Sequence, residues 1–152
     1  MIDREAVGTL LRHVHDVLDG DVARAQAALG LPEDYRPRFS PVLRALARGP
    51  LPIRDLAAAI GVTHSAASQT VAQLTERDLV ELRPGDDARQ RIAHLTPRAE
   101  ALLPAVEREW RVVSEAMAEL DAELPAPLAE VLLAVLAAVE RKPFRERVLE
   151  RA

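Results

Sequence analysis

Cysteine is absent from all 152 residues, which excludes disulfides, thiolate metal ligands and a thiol redox switch. Aromatic residues amount to only 3%. A core must therefore be built from Ala, Leu and Val, which suits closely packed helices better than an aromatic-rich sandwich. Lysine occurs once, at Lys142, so nearly all the positive charge is arginine. No apolar run approaches the ~20 residues that span a bilayer, and the opening "MIDREAVGTLLRHVHDV" is charged throughout. Neither a membrane anchor nor a signal peptide is expected, and the expected location is cytoplasmic.

Catalytic and metal signatures are equally sparse. There is no Ser/His/Asp grouping, no Gly-rich phosphate loop and no paired-carboxylate constellation, so an enzyme is not expected. Of the four histidines, His13 and His15 flank Val14, and an i, i+2 pair does not share a helix face. With no cysteine to add, neither a metal site nor a cofactor is expected.

What is present is a globular balance, 49% apolar and 29% charged, with an uneven distribution of charge. Between Arg36 and Arg98 ten arginines face six acids, a balance of +4. The rest of the chain holds ten basic and eighteen acidic residues, a balance of −8. The middle is basic although the whole carries −4. Arginine there suits planar contacts to phosphate and base edges. With a Debye length of about 8–10 Å at ordinary salt, the acidic ends are largely screened from it.

Apolar periodicity predicts the elements. Residues 3–18 form a helix that Gly20 is expected to end. A short helix over about 21–29 closes at Gly30, and "LPEDYRP" turns. A helix begins near Arg38 and stops at Gly49. After a brief extended step, Ile53, Leu56, Ala57 and Ile60 mark a short helix closed by Gly61. Thr63 is an N-cap for a helix over roughly 64–77. Two short helices joined through a glycine turn are a helix-turn-helix signal, with Ala57 small enough for close approach. Leu79–Leu82 and Ile92–Leu95 flank a Gly-Asp tip and predict a two-stranded hairpin. Thr96-Pro97 then starts a long helix, with a kink expected at Pro104 and Trp110 expected in its core face. Pro125 and Pro127 precede a strongly apolar helix over 128–139, and the tail adds one short helix.

The faces of helix 64–77 differ. Ala67, Val71 and Leu74, with Thr70 beside them, make an inward face. Ser65, Gln69, Ala72, Gln73 and Glu76 point outward, with Ser68 at the border. Small and amide side chains of this kind can approach base edges in a major groove, although an ordinary solvated helix face has the same look. The hairpin arms carry Arg83 and Arg91 and the tip carries Arg89, suited to the backbone or a narrow minor groove. Asp87 makes sense beside them as a partner that orients Arg89 through a charge-assisted hydrogen bond. A helix-turn-helix followed at once by an arginine-tipped hairpin is a winged helix.

The run Asp87-Ala88-Arg89, five residues, then Leu95-Thr96 resembles the D-x-R-x-x-x-x-x-L-T wing signature of the MarR family of bacterial transcriptional regulators. The order of elements is similar to that family along essentially the whole chain. One departure is Ala99, where the family usually has Gly. The resemblance implies a mainly α fold with a small β-hairpin wing, and a helical dimerisation region built from both termini. Residues 1–35 and 99–152 would supply that region, and 36–98 the DNA-binding domain. It implies a homodimer on a pseudo-palindromic operator in double-stranded DNA, usually as a repressor. Thr63, His64, Ser65, Ser68 and Gln69 map to the recognition positions and Arg89 to the wing arginine, with Asp87 as its partner. Gln73, Arg83 and Arg91 join them from the residue reading. Apolar content over 2–18 and 128–139 exceeds what a small winged helix needs, which fits a symmetric partner. The family often binds small aromatic anions between its two parts, and Arg12, His13, Tyr35, Phe39 and Trp110 are the candidate pocket residues. Two competing readings stand beside this one: a winged helix used for protein–protein contact, and a constitutive DNA binder with no effector.

Overall fold

A computed structural model describes residues 6–87 and 89–152. Its elements are α1 (Val7–Ala25), a 3-10 turn (Gln26–Leu29), α2 (Phe39–Leu46), β1 (Leu51–Pro52), α3 (Ile53–Ile60) and α4 (His64–Glu76). After these come β2 (Val80–Pro84), β3 (Arg91–Leu95), α5 (Pro97–Ala122), α6 (Leu128–Arg141) and α7 (Phe144–Leu149). Within α5 the chain divides into two units, residues 1–111 and 112–152.

The first unit is organised around α2, α3, α4 and a three-stranded antiparallel sheet. Phe39, Val42 and Leu43 of α2, Leu56 of α3 and Leu74 of α4 are fully buried, closed over by Leu79, Val80 and Ala93 of the sheet region. Fully burying a side chain of this size contributes about 1.5–3 kcal/mol. The sheet order is β1-β3-β2. The hairpin expected to be two-stranded thus gains a third strand, with Leu51 opposite Ala93 and Pro52 opposite Ile92. Pro52 has no N–H to donate, and its place on an edge strand tolerates that loss.

Two local expectations are corrected. Gly20 does not end the first helix, which continues to Ala25, so the separate helix over 21–29 is the end of α1 plus the 3-10 turn. A helical glycine costs only about 1 kcal/mol against alanine, and Arg24 pairs with Asp21 across that turn. The chain closes instead at Gly30, whose φ of +87° requires the left-handed region. The other correction is Trp110, which is 39% exposed rather than part of the core. α5 runs unbroken through Pro104, where one intrahelical hydrogen bond cannot form.

Thr96 joins wing to scaffold. Its hydroxyl donates to the Asp78 carbonyl at 2.6 Å and accepts from the Ala99 N–H at 3.2 Å, capping α5. Asp78 adopts a left-handed φ of +54° as α4 turns into β2. The Thr of the wing run therefore has a structural role.

In the second unit, Asp121 accepts the Leu128 N–H at 2.7 Å and Arg147 donates to the carbonyls of Lys142 and Ala138. Its helices leave Val131, Leu132, Leu133, Val135 and Leu136 of α6 exposed, with Phe144, Val148 and Leu149 of α7. Among the described residues no helix is long and apolar enough to cross a membrane.

Candidate nucleic-acid interface

Local chemistry sets α3 and α4 against each other. Gly61 takes a left-handed φ of +70° as the C-cap of α3, and the Val62 N–H returns to the Ala57 carbonyl at 3.0 Å. Thr63 then accepts the Ala66 N–H at 3.1 Å, starting α4. Ala67, Thr70, Val71 and Leu74 are buried, so the inward face is the one that periodicity predicts. His64, Ser65, Gln69, Ala72 and Glu76 are exposed, and Ser68 and Gln73 are half-buried. A row of small hydroxyl and amide groups is thereby left facing outward.

The wing is β2, its tip and β3, paired from Val80–Leu95 to Pro84–Arg91. The Gly85 N–H donates to the Gln90 carbonyl at 2.8 Å and closes the tip. Asp87 acts on the main chain here: its carboxylate accepts the Arg89 backbone N–H at 3.0 Å, and its carbonyl accepts the Gln90 N–H at 2.8 Å. The expected side-chain partnership with the Arg89 guanidinium is replaced by an Asx turn that holds the arginine's backbone. Arg89 and Arg91 are exposed, and Arg83 is ion-paired to Glu81. His94 lies across from Glu81 on the sheet.

Wing and helix-turn-helix meet at a cleft of about 460 Å³ whose lining includes Pro52 and Ile53. Arg54, His64, Asp87, Arg89, Gln90 and Arg91 line it. It brings the start of α4 and the wing tip to one site rich in arginine. Arg54 is the residue that sequence reasoning missed as a site member. Its side chain is 84% exposed beside Asp55, and only its place in the basic middle segment could have signalled it. Three arginines around an open cleft can hold phosphate oxygens by charge-assisted hydrogen bonds.

Gln73 has partners of its own. Arg38 donates to its side-chain oxygen from Nε at 3.0 Å and also from Nη2. Arg77 donates to its backbone carbonyl at 2.9 Å. Arg77 Nε lies 3.1 Å from Asp34 Oδ2, an ion pair by distance whose N–H is misaligned for a hydrogen bond. Both guanidiniums stand near the buried Phe39 ring, Arg38 at 5.6 Å and Arg77 at 5.2 Å from its centroid.

The candidate pocket residues divide. Tyr35 and Phe39 are sealed in the core, packed edge to face at 5.4 Å, and offer no wall to an open cavity. Arg12 and His13 are exposed on α1. Trp110 carries the Arg44 guanidinium 4.1 Å over its ring, and Arg44 also pairs with Glu107 at 3.0 Å. With Pro41, Arg48, Ala59 and Ile60 these two line a pocket of about 310 Å³. The same unit holds a buried polar group that no sequence pattern announced. Gln26 donates to Glu109 at 2.7 Å, the Ser40 hydroxyl bonds the other carboxylate oxygen, and Tyr35 meets Ser40 at 3.0 Å. Burial pushes the Tyr35 hydroxyl well above its ordinary pKa; the Ser40 hydrogen bond opposes this and the Glu109 charge adds to it. Among the described residues no group of three or more His, Asp or Glu is placed to hold a metal ion.

Residues 40–90 match the MarR family. No curated protein matches the sequence. Among solved structures, the Mycobacterium tuberculosis transcriptional regulator MOSR in complex with DNA is 25% identical, with a TM-score of 0.67 over 90% of this chain and 96% of that one. The PcaV regulator of Streptomyces coelicolor in complex with its natural ligand is 20% identical, with a TM-score of 0.66 over 93% and 97%. A mutant of Escherichia coli MarR in complex with operator DNA is 21% identical, with a TM-score of 0.62 over 88% and 92%. Over residues 40–90 this chain is similar in sequence to the MarR family, and along most of its length its fold is similar to that of these transcriptional regulators.

Proposed function

We propose that this protein is a DNA-binding transcriptional repressor that acts as a homodimer on a pseudo-palindromic operator and is released by a small aromatic or anionic effector. The observation that carries the reading is the cleft in which Arg54, His64, Arg89 and Arg91 converge beside the outward face of α4. Thr63, His64, Ser65, Ser68, Gln69 and Gln73 face the major groove in this reading, while Arg83, Arg89 and Arg91 follow the backbone, with Asp87 fixing the tip. Exposed Val7, Leu11 and Val14 on α1, and the apolar surface of α6, support a second copy as the partner that covers them. The pocket lined by Trp110, Arg44 and Arg48 supports the effector: two guanidiniums suit an anion, and the aromatic wall suits a planar one. The location that goes with this role is the cytoplasm.

The test is a gel-shift titration over a salt series. Arg89→Ala weakens binding to all duplexes alike and lowers the salt slope by about 1, whereas Gln69→Ala alters base preference by about 1–3 kcal/mol. Glu76, exposed on the same face, favours the competing protein–protein reading. Absence of measurable affinity for any genomic duplex at low salt would favour that alternative.

A further inference from the structure

We infer that Arg38 determines specificity at one operator base pair by turning Gln73 into a donor-only reader of guanine, an inference that rests on the DNA-binding reading above.

Arginine has five N–H donors and no acceptor, so an amide facing it must present its oxygen. The Arg38–Gln73 contact therefore dictates which way the Gln73 amide points. Two N–H groups of Arg38, on Nε and Nη2, converge on that one oxygen. The backbone carbonyl of Gln73 is taken by Arg77. Both oxygens of Gln73 are thus engaged by arginines of the same molecule, and the amide N–H pair remains to face a ligand.

Glutamine ordinarily reads adenine by donating to N7 and accepting from the N6 amino group. That pairing needs the oxygen which Arg38 has occupied. Guanine presents two acceptors, N7 and O6, on its major-groove edge, and a donor-only amide suits it. Arg38 keeps this arrangement without touching the base. Its guanidinium lies 5.6 Å from the Phe39 ring centroid, and that ring is fully buried against Tyr35. Arg38 is the N-cap residue of α2 and Gln73 sits 35 residues later on α4, so the first helix of the DNA-binding region sets the chemistry of the third.

Selection of binding sites from random-sequence duplexes tests this with wild type, Arg38→Ala and Gln73→Ala. Wild type is expected to select guanine and disfavour adenine at one base pair of each half-site. Gln73→Ala loses the preference at that base pair alone. Arg38→Ala moves the same base pair toward adenine by about tenfold in relative enrichment and leaves the other positions unchanged. A fold-supporting role for Arg38 would not produce a switch confined to one position. Identical selected sequences for wild type and Arg38→Ala would overturn the inference. So would a uniform loss of affinity with a shallower salt dependence, which marks a phosphate contact. Failure of wild type to select any sequence would instead refute DNA binding, and the inference with it.

Discussion

Replacing Glu109 separates two effects that its burial combines. The carboxylate is 2% exposed and accepts from two neutral donors, the Gln26 amide at 2.7 Å and the Ser40 hydroxyl. Glu109→Ala strips the acceptor from both, and each buried donor left unpaired costs about 1–3 kcal/mol. The oxygen of Gln26 is already buried without a partner, so that amide then has none. With the cavity left by the side chain added, the loss comes to about 3–6 kcal/mol. Glu109→Gln keeps part of the network: its oxygen still accepts from Gln26 and its N–H donates to Ser40, but one hydroxyl of the buried Ser40–Tyr35 pair then lacks an acceptor. That variant should lose about 1–3 kcal/mol, less than the Ala variant. Urea unfolding followed by far-ultraviolet circular dichroism measures both, at one fixed protein concentration because self-association shifts the midpoint. At a slope of about 2 kcal/mol per molar urea, Glu109→Ala moves the midpoint down by roughly 2 M. Equal midpoints for the Ala and Gln variants would refute the claim that hydrogen-bond satisfaction makes Glu109 stabilising.

Gly61→Ala tests the turn between α3 and α4. No atom lies within 4 Å of the added Cβ, so the cost is left-handed backbone strain alone, about 1–2 kcal/mol. Gly61→Asn should lose less than Gly61→Ala in a thermal melt, and an Ala variant as stable as wild type would show that the turn is not held at its φ of +70°. Leu136→Glu, at a position 62% exposed on α6, should convert a dimer to monomer in sedimentation equilibrium. A monomeric wild type, or an unchanged dimeric variant, would remove α6 from the proposed interface.

Much of the fold was legible because its signals are local. Gly61 and Thr63 mark the turn through one backbone conformation and one side-chain cap, each complete within three residues. The buried face of α4 follows from helical spacing. Gly20 misled because glycine weakens a helix without stopping it. Trp110 misled because periodicity marks a face but cannot say whether other elements cover it. Arg54 was passed over because an exposed arginine at a helix start has no local signature.

What the sequence by itself determined is the succession of helices, the arginine-tipped hairpin and the basic middle segment, since these depend on neighbours a few residues apart. Only the tertiary structure decided how polar groups far apart in the chain meet. Leu51 and Pro52 pair with β3 some forty residues on. Arg38 finds Gln73 across 35 residues, and Gln26 finds Glu109 across 83. Such pairs leave no periodic trace, because a hydrogen bond depends on where the packed core places two atoms and not on how far apart the chain numbers them.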